Sequence, residues 1–256
     1  FRLHPSPPIL LGGPVIFPLA QARSALRAYA DFAGDAADDI YADAALTTLP
    51  DGNRVLVIDT CYAGAIDAGE QAFAPIRKFG TPIVDAIAPT PYVKLQQTAD
   101  QVLARGRRYY VKGSFLREIN TALSDSLVEG FAGLPPGVTV NFADAGGAIS
   151  RVAPTATAFW NRGARWNLVC SAVWDNPADS EAGIAAGRRA YDIAEPYAKG
   201  FYVNDANLAE RTQAQVDSNY GGNLARLEKV KAQYDPANLF HLNANVMPAG
   251  LIRAGT

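Results

Sequence analysis

With 256 residues, 49% of them hydrophobic and 19% charged, the chain has the composition of folded protein, enough for one large domain or two small ones, and general disorder is excluded. A chain of this length buries roughly 70–75% of the surface its unfolded form exposes, so it needs no disulfide or metal staple. Lys and Arg number 23 against 25 Asp and Glu, a formal charge of −2, which leaves no basic field to gather nucleic acid or an anionic membrane surface.

The first apolar stretch, Ile9 to Ala20, is broken by Gly12, Gly13, Pro14 and Pro18, so it is neither a membrane span nor the core of a signal peptide. From Leu19 to Ala33, Ala22, Leu26, Tyr29, Ala30 and Ala33 recur at helical spacing, with Gly34 as the stop. After the turn signal Pro50-Asp51-Gly52-Asn53, the run Val55 to Ile58 predicts a buried strand over Arg54 to Asp59. Arg107 to Lys112 alternates as a strand around Tyr109 and Val111, and Leu116, Ile119, Leu123 and Leu127 predict a helix from Phe115 to Phe131. Beyond Pro135-Pro136-Gly137, Val138 to Phe142 reads as a strand. Asn167 to Trp174 is another, with Leu168, Cys170, Ala172 and Trp174 on one face.

Helical spacing returns from Glu181 to Ala198 through Ile184, Tyr191 and Ala194, and a strand is expected from Gly200 to Asn204. A last helix runs from about Asn223 to Tyr234, with Asn223 as its cap and Leu224, Leu227, Val230 and Tyr234 as its apolar stripe. Asp235-Pro236 stops it and swings Leu239 and Phe240 back onto the core. Strand pairs mixed with helices, rather than strict alternation, predict an α+β fold with a mainly antiparallel sheet and helices packed on one face.

Several chemistries fall to inventory. His4 and His241 stand at opposite ends with no paired Cys or His spacing, so no metal site is expected. Cys61 and Cys170 could pair, but two cysteines make no disulfide framework, and free thiols are the expected state. No serine lies in a G-x-S-x-G elbow. The glycine pairs at Gly12, Gly146 and Gly221 extend to no dinucleotide or phosphate loop.

The informative string is Tyr220 to Phe240, YGGNLARLEKVKAQYDPANLF, preceded by FYVNDAN from Phe201. It closely resembles the C-terminal motif of berberine bridge enzyme-like flavoproteins. The resemblance extends over Gly80 to Asp100, Arg107 to Leu116 and Ala145 to Arg162, and so over essentially the whole chain. It implies the substrate-binding and C-terminal region of a two-domain, FAD-dependent oxidoreductase, with residues 1 to 18 as the tail of a flavin domain. FAD itself would be held mainly by that other domain, the expected partner of this one. Phe1 and the FRLHP opening read like the interior of a longer polypeptide.

Members of that family take a hydride from an alcohol, sugar or related carbon onto flavin, usually with oxygen as the final acceptor. By resemblance, Tyr202 and Asn204 would stand beside the flavin. Asp205 occupies the place of a tyrosine suited to act as base, leaving either a carboxylate base or a turn residue with no catalytic role, the latter being the commoner fate of such an aspartate. Tyr110, Asn141 and Trp166 are candidate substrate-pocket residues. The sheet face that would cover flavin is expected to be apolar and aromatic, and therefore prone to self-association. The alternative reading is a stand-alone small-molecule or partner-binding module without redox activity. No targeting segment marks a compartment.

Overall fold

The computed structural model describes residues 6–100, 103–205, 207–242 and 244–251. His4 and the rest of the opening pentapeptide lie outside the described residues. In chain order the elements are β1 (Ile9–Pro18), α1 (Ala22–Asp35), β2 (Ile40–Thr48), β3 (Arg54–Tyr62), α2 (Ile66–Phe73), β4 (Val84–Asp85), β5 (Ala88–Pro91) and α3 (Tyr92–Gln96). There follow β6 (Arg108–Leu116), α4 (Thr121–Ala132), β7 (Val138–Asp144), α5 (Ala148–Arg151), β8 (Trp166–Trp174), α6 (Ser180–Ala194), α7 (Gln213–Tyr220) and α8 (Leu224–Tyr234).

The strands form one sheet in the order β4-β1-β3-β2-β7-β8-β6, with β5 also pairing β1, and every described pair is antiparallel. The α+β expectation holds. Side chains alternate across a strand, so each long strand sends every second residue toward the helices. Phe17, Leu46, Ile58, Val140, Leu168 and Cys170 do this, and all are fully or almost fully buried beneath α1, α4 and α6. Tyr29 of α1 reaches through the apolar layer to donate its hydroxyl to the carbonyls of Ala42 (2.9 Å) and Phe142 (3.3 Å). Desolvation first, and then the Asp43 charge, raise its pKa far above the usual phenol value. Both cysteines are free.

The helix predicted from Phe115 starts later. Leu116 still belongs to β6, and α4 begins after Asn120, whose side chain accepts from the Leu123 amide at 2.9 Å. The apolar spacing from Leu116 to Leu127 is shared by two elements that bury into the same core. β1 and β2 carry no sequence signal strong enough to announce them, one because of its Gly and Pro residues and the other because Ala and Asp dilute its β propensity.

The strand expected from Gly200 to Asn204 is a turn instead. Gly200 sits at φ 71°, and the Asp205 amide donates to the Tyr202 carbonyl at 3.0 Å, which folds the chain back after four residues. Asn223 does not cap α8. A 3-10 turn over Gly221–Asn223 has already wound the backbone, and the Asn223 amide donates instead to the carbonyls of Pro154 (2.8 Å) and Thr157 (3.0 Å). Leu239 and Phe240 do not return to the core either: their backbone amides are held by the Asp235 carboxylate, and their side chains point outward.

Helix α6 lies very close to the sheet because it presents glycine there. A Cβ at Gly187 would come within 2.3 Å of the Tyr110 ring, which is itself buried. Gly187→Val should therefore lower unfolding free energy by about 1–3 kcal/mol through overpacking, against a helix-propensity gain of only a few tenths. Urea denaturation of the two proteins measures this; equal midpoints would mean that the Tyr110 ring yields freely.

Candidate functional site

The face of the sheet turned away from the helices is built from the other half of each strand. Register places Pro14, Asp59, Asp43, Ala143, Asn167 and Phe115 in one lateral row across β1, β3, β2, β7, β8 and β6. Neighbouring strands in such a row are about 4.8 Å apart. Thr47 and Thr139, whose hydroxyls meet at 3.0 Å, lie on the same face, as does Asn141 opposite Ala45. This open face is mixed: its aspartates, asparagines and threonines stand beside Ile16, Val57, Val111, Val169 and Phe115, with Tyr41 and Tyr109 exposed on it.

One end of the row is acidic. Asp43 stands directly across from Asp59, and the Tyr41 hydroxyl donates to Asp43 at 2.5 Å while the Asp144 amide donates to its other oxygen at 2.8 Å. Asp43 is buried, and desolvation outweighs those hydrogen bonds to push its pKa up to about 6. Asp59 is raised by the same cause. The Tyr41 ring is half exposed, but its hydroxyl end is desolvated against Asp43, and both effects raise its pKa.

The other end receives the turn after α6. Lys199 donates to the Phe115 carbonyl at 2.8 Å and Phe115 to that of Gly200 at 3.1 Å, so this segment covers the free edge of β6. Asp205 follows: its carbonyl accepts from the Gly113 amide (2.8 Å) and its carboxylate from Asn167 Nδ2 (2.8 Å). A Cβ at Gly113 would lie 3.1 Å from that of Asp205, so a bare Cα in β6 lets the aspartate approach. Asp205 is thus half-buried on the open face, its carboxylate bonded to Asn167 of the row that holds Asp43. Tyr202 and Asn204 are exposed and joined by a 2.7 Å bond from the Asn204 amide to the Tyr202 hydroxyl. A cavity of about 270 Å³ opens beside Tyr202 between Phe159, Trp160 and Tyr220.

Glu210 fixes this turn from behind. It accepts from Lys112 Nζ (2.8 Å), the Tyr110 hydroxyl (2.9 Å) and Arg188 Nε (3.0 Å). Burial disfavours its charge, but these donors win and hold its pKa at about 2. Arg211 adds a 3.0 Å bond to the Gly113 carbonyl while stacking over Phe201 and Tyr191.

Of the residues singled out from sequence, the fold brings Asn141 and Asp205 to the open face and sets Tyr202 and Asn204 at its edge. Tyr110 and Trp166 fall on the opposite, helix-covered side, because their register partners Ala172 and Leu116 are core residues. Tyr110 serves Glu210, and Trp166 lies under the Arg165 guanidinium, itself paired to Asp144 at 3.0 Å. Asp43, Asp59 and Asn167 escaped notice. Alternation within β2 would have aligned Tyr41 with Asp43, but only had that segment been recognised as a strand. Among the described residues, the Oδ1 atoms of Asn141 and Asn167 are buried without a hydrogen-bond partner.

Residues 201–247 match the family model described as "Berberine and berberine like". An FAD-linked oxidoreductase of Dictyostelium discoideum is 25% identical over 97% of this chain, and the chain spans 54% of that relative's length. An uncharacterized FAD-linked oxidoreductase of Bacillus subtilis is 36% identical over 42% of the chain and 24% of its own length. Among solved structures, a berberine bridge enzyme-like protein of Arabidopsis thaliana superposes with a TM-score of 0.80 at 16% identity, covering 95% of this chain and 57% of that one. No described helix is long and apolar enough to cross a membrane.

The two shifted carboxylates predict opposite pH behaviour. Asp43 is raised, so its ionisation costs stability above about pH 6 and nothing below its unfolded value. Asp43→Asn should stabilise the chain at pH 7 by roughly 1–2 kcal/mol and be neutral near pH 3.5. Glu210 is lowered, so its contribution is complete above its unfolded value and is lost as pH falls toward 2. Glu210→Gln should cost on the order of 2 kcal/mol at pH 7, shrinking below pH 4. Denaturant titrations across pH 2–8 read both; a shared sign would refute the assignment.

Proposed function

We propose that this chain, which belongs to the berberine bridge enzyme-like family of FAD-linked oxidoreductases, forms the substrate-side wall of such an enzyme, with the open face of its sheet turned toward the flavin. The observation that carries this reading is the pair of orphaned amide oxygens, Asn141 Oδ1 and Asn167 Oδ1, on the sheet face turned away from the core helices α1, α4 and α6. A buried acceptor without a partner is costly, and donors from a bound ligand remove that cost.

The residues fit a flavin and an alcohol or sugar substrate. Hydride acceptance is the chemistry that bound FAD supplies. The rest falls to this chain. Asn141 and Asn167 accept from hydroxyl or ring N–H donors and fix their orientation. Asp205 is fastened by Asn167 Nδ2 through Oδ2, leaving Oδ1 to accept the proton of the hydroxyl whose carbon is oxidised. Tyr202 and Asn204, already paired, offer donors and acceptors at the ring's polar edge. The Asp43 and Asp59 end disfavours an anionic substrate, which matches neutral alcohols and sugars. Oxygen is the proposed final acceptor.

Anaerobic mixing of the natural flavin-bearing polypeptide with primary alcohols and aldoses tests the reading. Bleaching of the visible flavin band is expected with at least one, and Asp205→Asn should slow it by roughly 10²-fold or more with little change in substrate affinity. A flavin that no alcohol or sugar reduces would overturn the substrate class, and an unchanged rate in the variant would remove Asp205 from proton transfer.

A further inference from the structure

We infer that the cavity beside Tyr202 is a binding site for a neutral aromatic ring that carries a hydrogen-bond-accepting oxygen. A dry cavity of about 150 Å³ suffices for benzene, so this one, at about 270 Å³, takes one substituted ring. Among the described residues no charged side chain lines it, which disfavours an ionised ligand. Its walls are rings whose polar ends are engaged elsewhere. The Tyr220 hydroxyl donates to the Ala244 carbonyl at 2.9 Å, and the Tyr202 hydroxyl accepts from the Asn204 amide at 2.7 Å. Phe159 stands edge-on to Phe115, with ring centres 5.6 Å apart. Gly221 and Gly222 lie close against the Trp160 indole, where a Cβ would come within 2.2 Å and 2.9 Å of it respectively. The cavity therefore offers aromatic surface, which favours another ring.

Asn219, near the end of α7, supplies the polar contact. Its residue is only 7% exposed, yet it lines the cavity. Its Oδ1 accepts from the Phe201 amide (2.8 Å) and from Asn161 Nδ2 (2.9 Å). A backbone N–H can only donate, so the side-chain amide cannot be turned round and its nitrogen faces away from Phe201. That Nδ2 donates to none of the described residues and is not shut off from solvent. A buried amide fixed at its oxygen and open at its nitrogen leaves one oriented donor for a ligand oxygen. The site also stands next to the open face. The Asp205 amide donates to the Tyr202 carbonyl at 3.0 Å, and the ends of such a turn lie within about 7 Å. The ring is carried either by the alcohol that reaches Asp205 or by a separate molecule bound beside it.

Anisole and ethylbenzene differ by an oxygen in place of a methylene, and titration calorimetry of the natural flavin-bearing polypeptide with each tests the site. Anisole should bind about three- to tenfold more tightly, the worth of one neutral hydrogen bond. Asn219→Asp keeps an acceptor for Phe201 and Asn161 but has no donor, and should erase that preference. Ala158→Trp, at an exposed position on the cavity lining, should abolish binding of both probes. Equal affinities in the unaltered protein, binding of neither probe, or affinities unchanged by both variants overturn the site. Anisole that competes with a flavin-reducing alcohol assigns the ring to the substrate, and anisole that binds without competing assigns it to a separate ligand; both sustain the site. A flavin that no alcohol or sugar reduces overturns the substrate class alone, because the calorimetric preference and its loss in Asn219→Asp need no turnover.

Discussion

A β-strand can bury only every second side chain against helices, and in this chain the core helices α1, α4 and α6 lie on one side of the sheet. Half of every long strand therefore faces a side that this chain's helices do not seal. That asymmetry organises the rest. The helix side holds the apolar core, from Phe17 and Leu46 to Leu168 and Cys170. The open side carries the aspartates, asparagines and threonines that an apolar interior would not accept unpaired.

The open face is completed by a segment that is neither helix nor strand. The free edge of β6 must be satisfied, and residues 199 to 205 do so with backbone bonds to Phe115 and Gly113. The consequence is positional: Asp205 arrives beside Asn167 because the edge of β6 needed a partner there. Glu210 then locks the turn by drawing donors from β6 and α6 onto one carboxylate. Asp235 does the same further on, organising a loop through two backbone amides and Lys231.

Carboxylates thus play contrary parts in one small protein. Asp43 meets a phenol, a backbone amide and other acids, and burial wins; Glu210 meets a lysine, a tyrosine and an arginine, and the donors win. The first is a charge kept at some expense, which points to a face shaped for something other than stability. The second is an anchor. In both, the partner set decides the sign, since burial alone acts in the same direction on each.

Local pattern was enough for the class of fold and for most elements: α1, β3, β7, β8 and α6 each carry a run of apolar residues at one period, and period is a property of consecutive residues. The motif from Tyr220 to Phe240 likewise carried the family, since it is contiguous. What tertiary structure decided was everything that depends on which strand lies beside which. Asp43, Asp59 and Asn167 come from three separated stretches and share a row only through register, and Asp205 joins them through its bond to Asn167. Tyr110 and Trp166 look like pocket residues until pairing fixes their parity and turns them into the core. Leu239 and Phe240 read as core residues because apolar side chains usually are, but the Asp235 carboxylate captures their amides and turns them outward, and no periodicity encodes that.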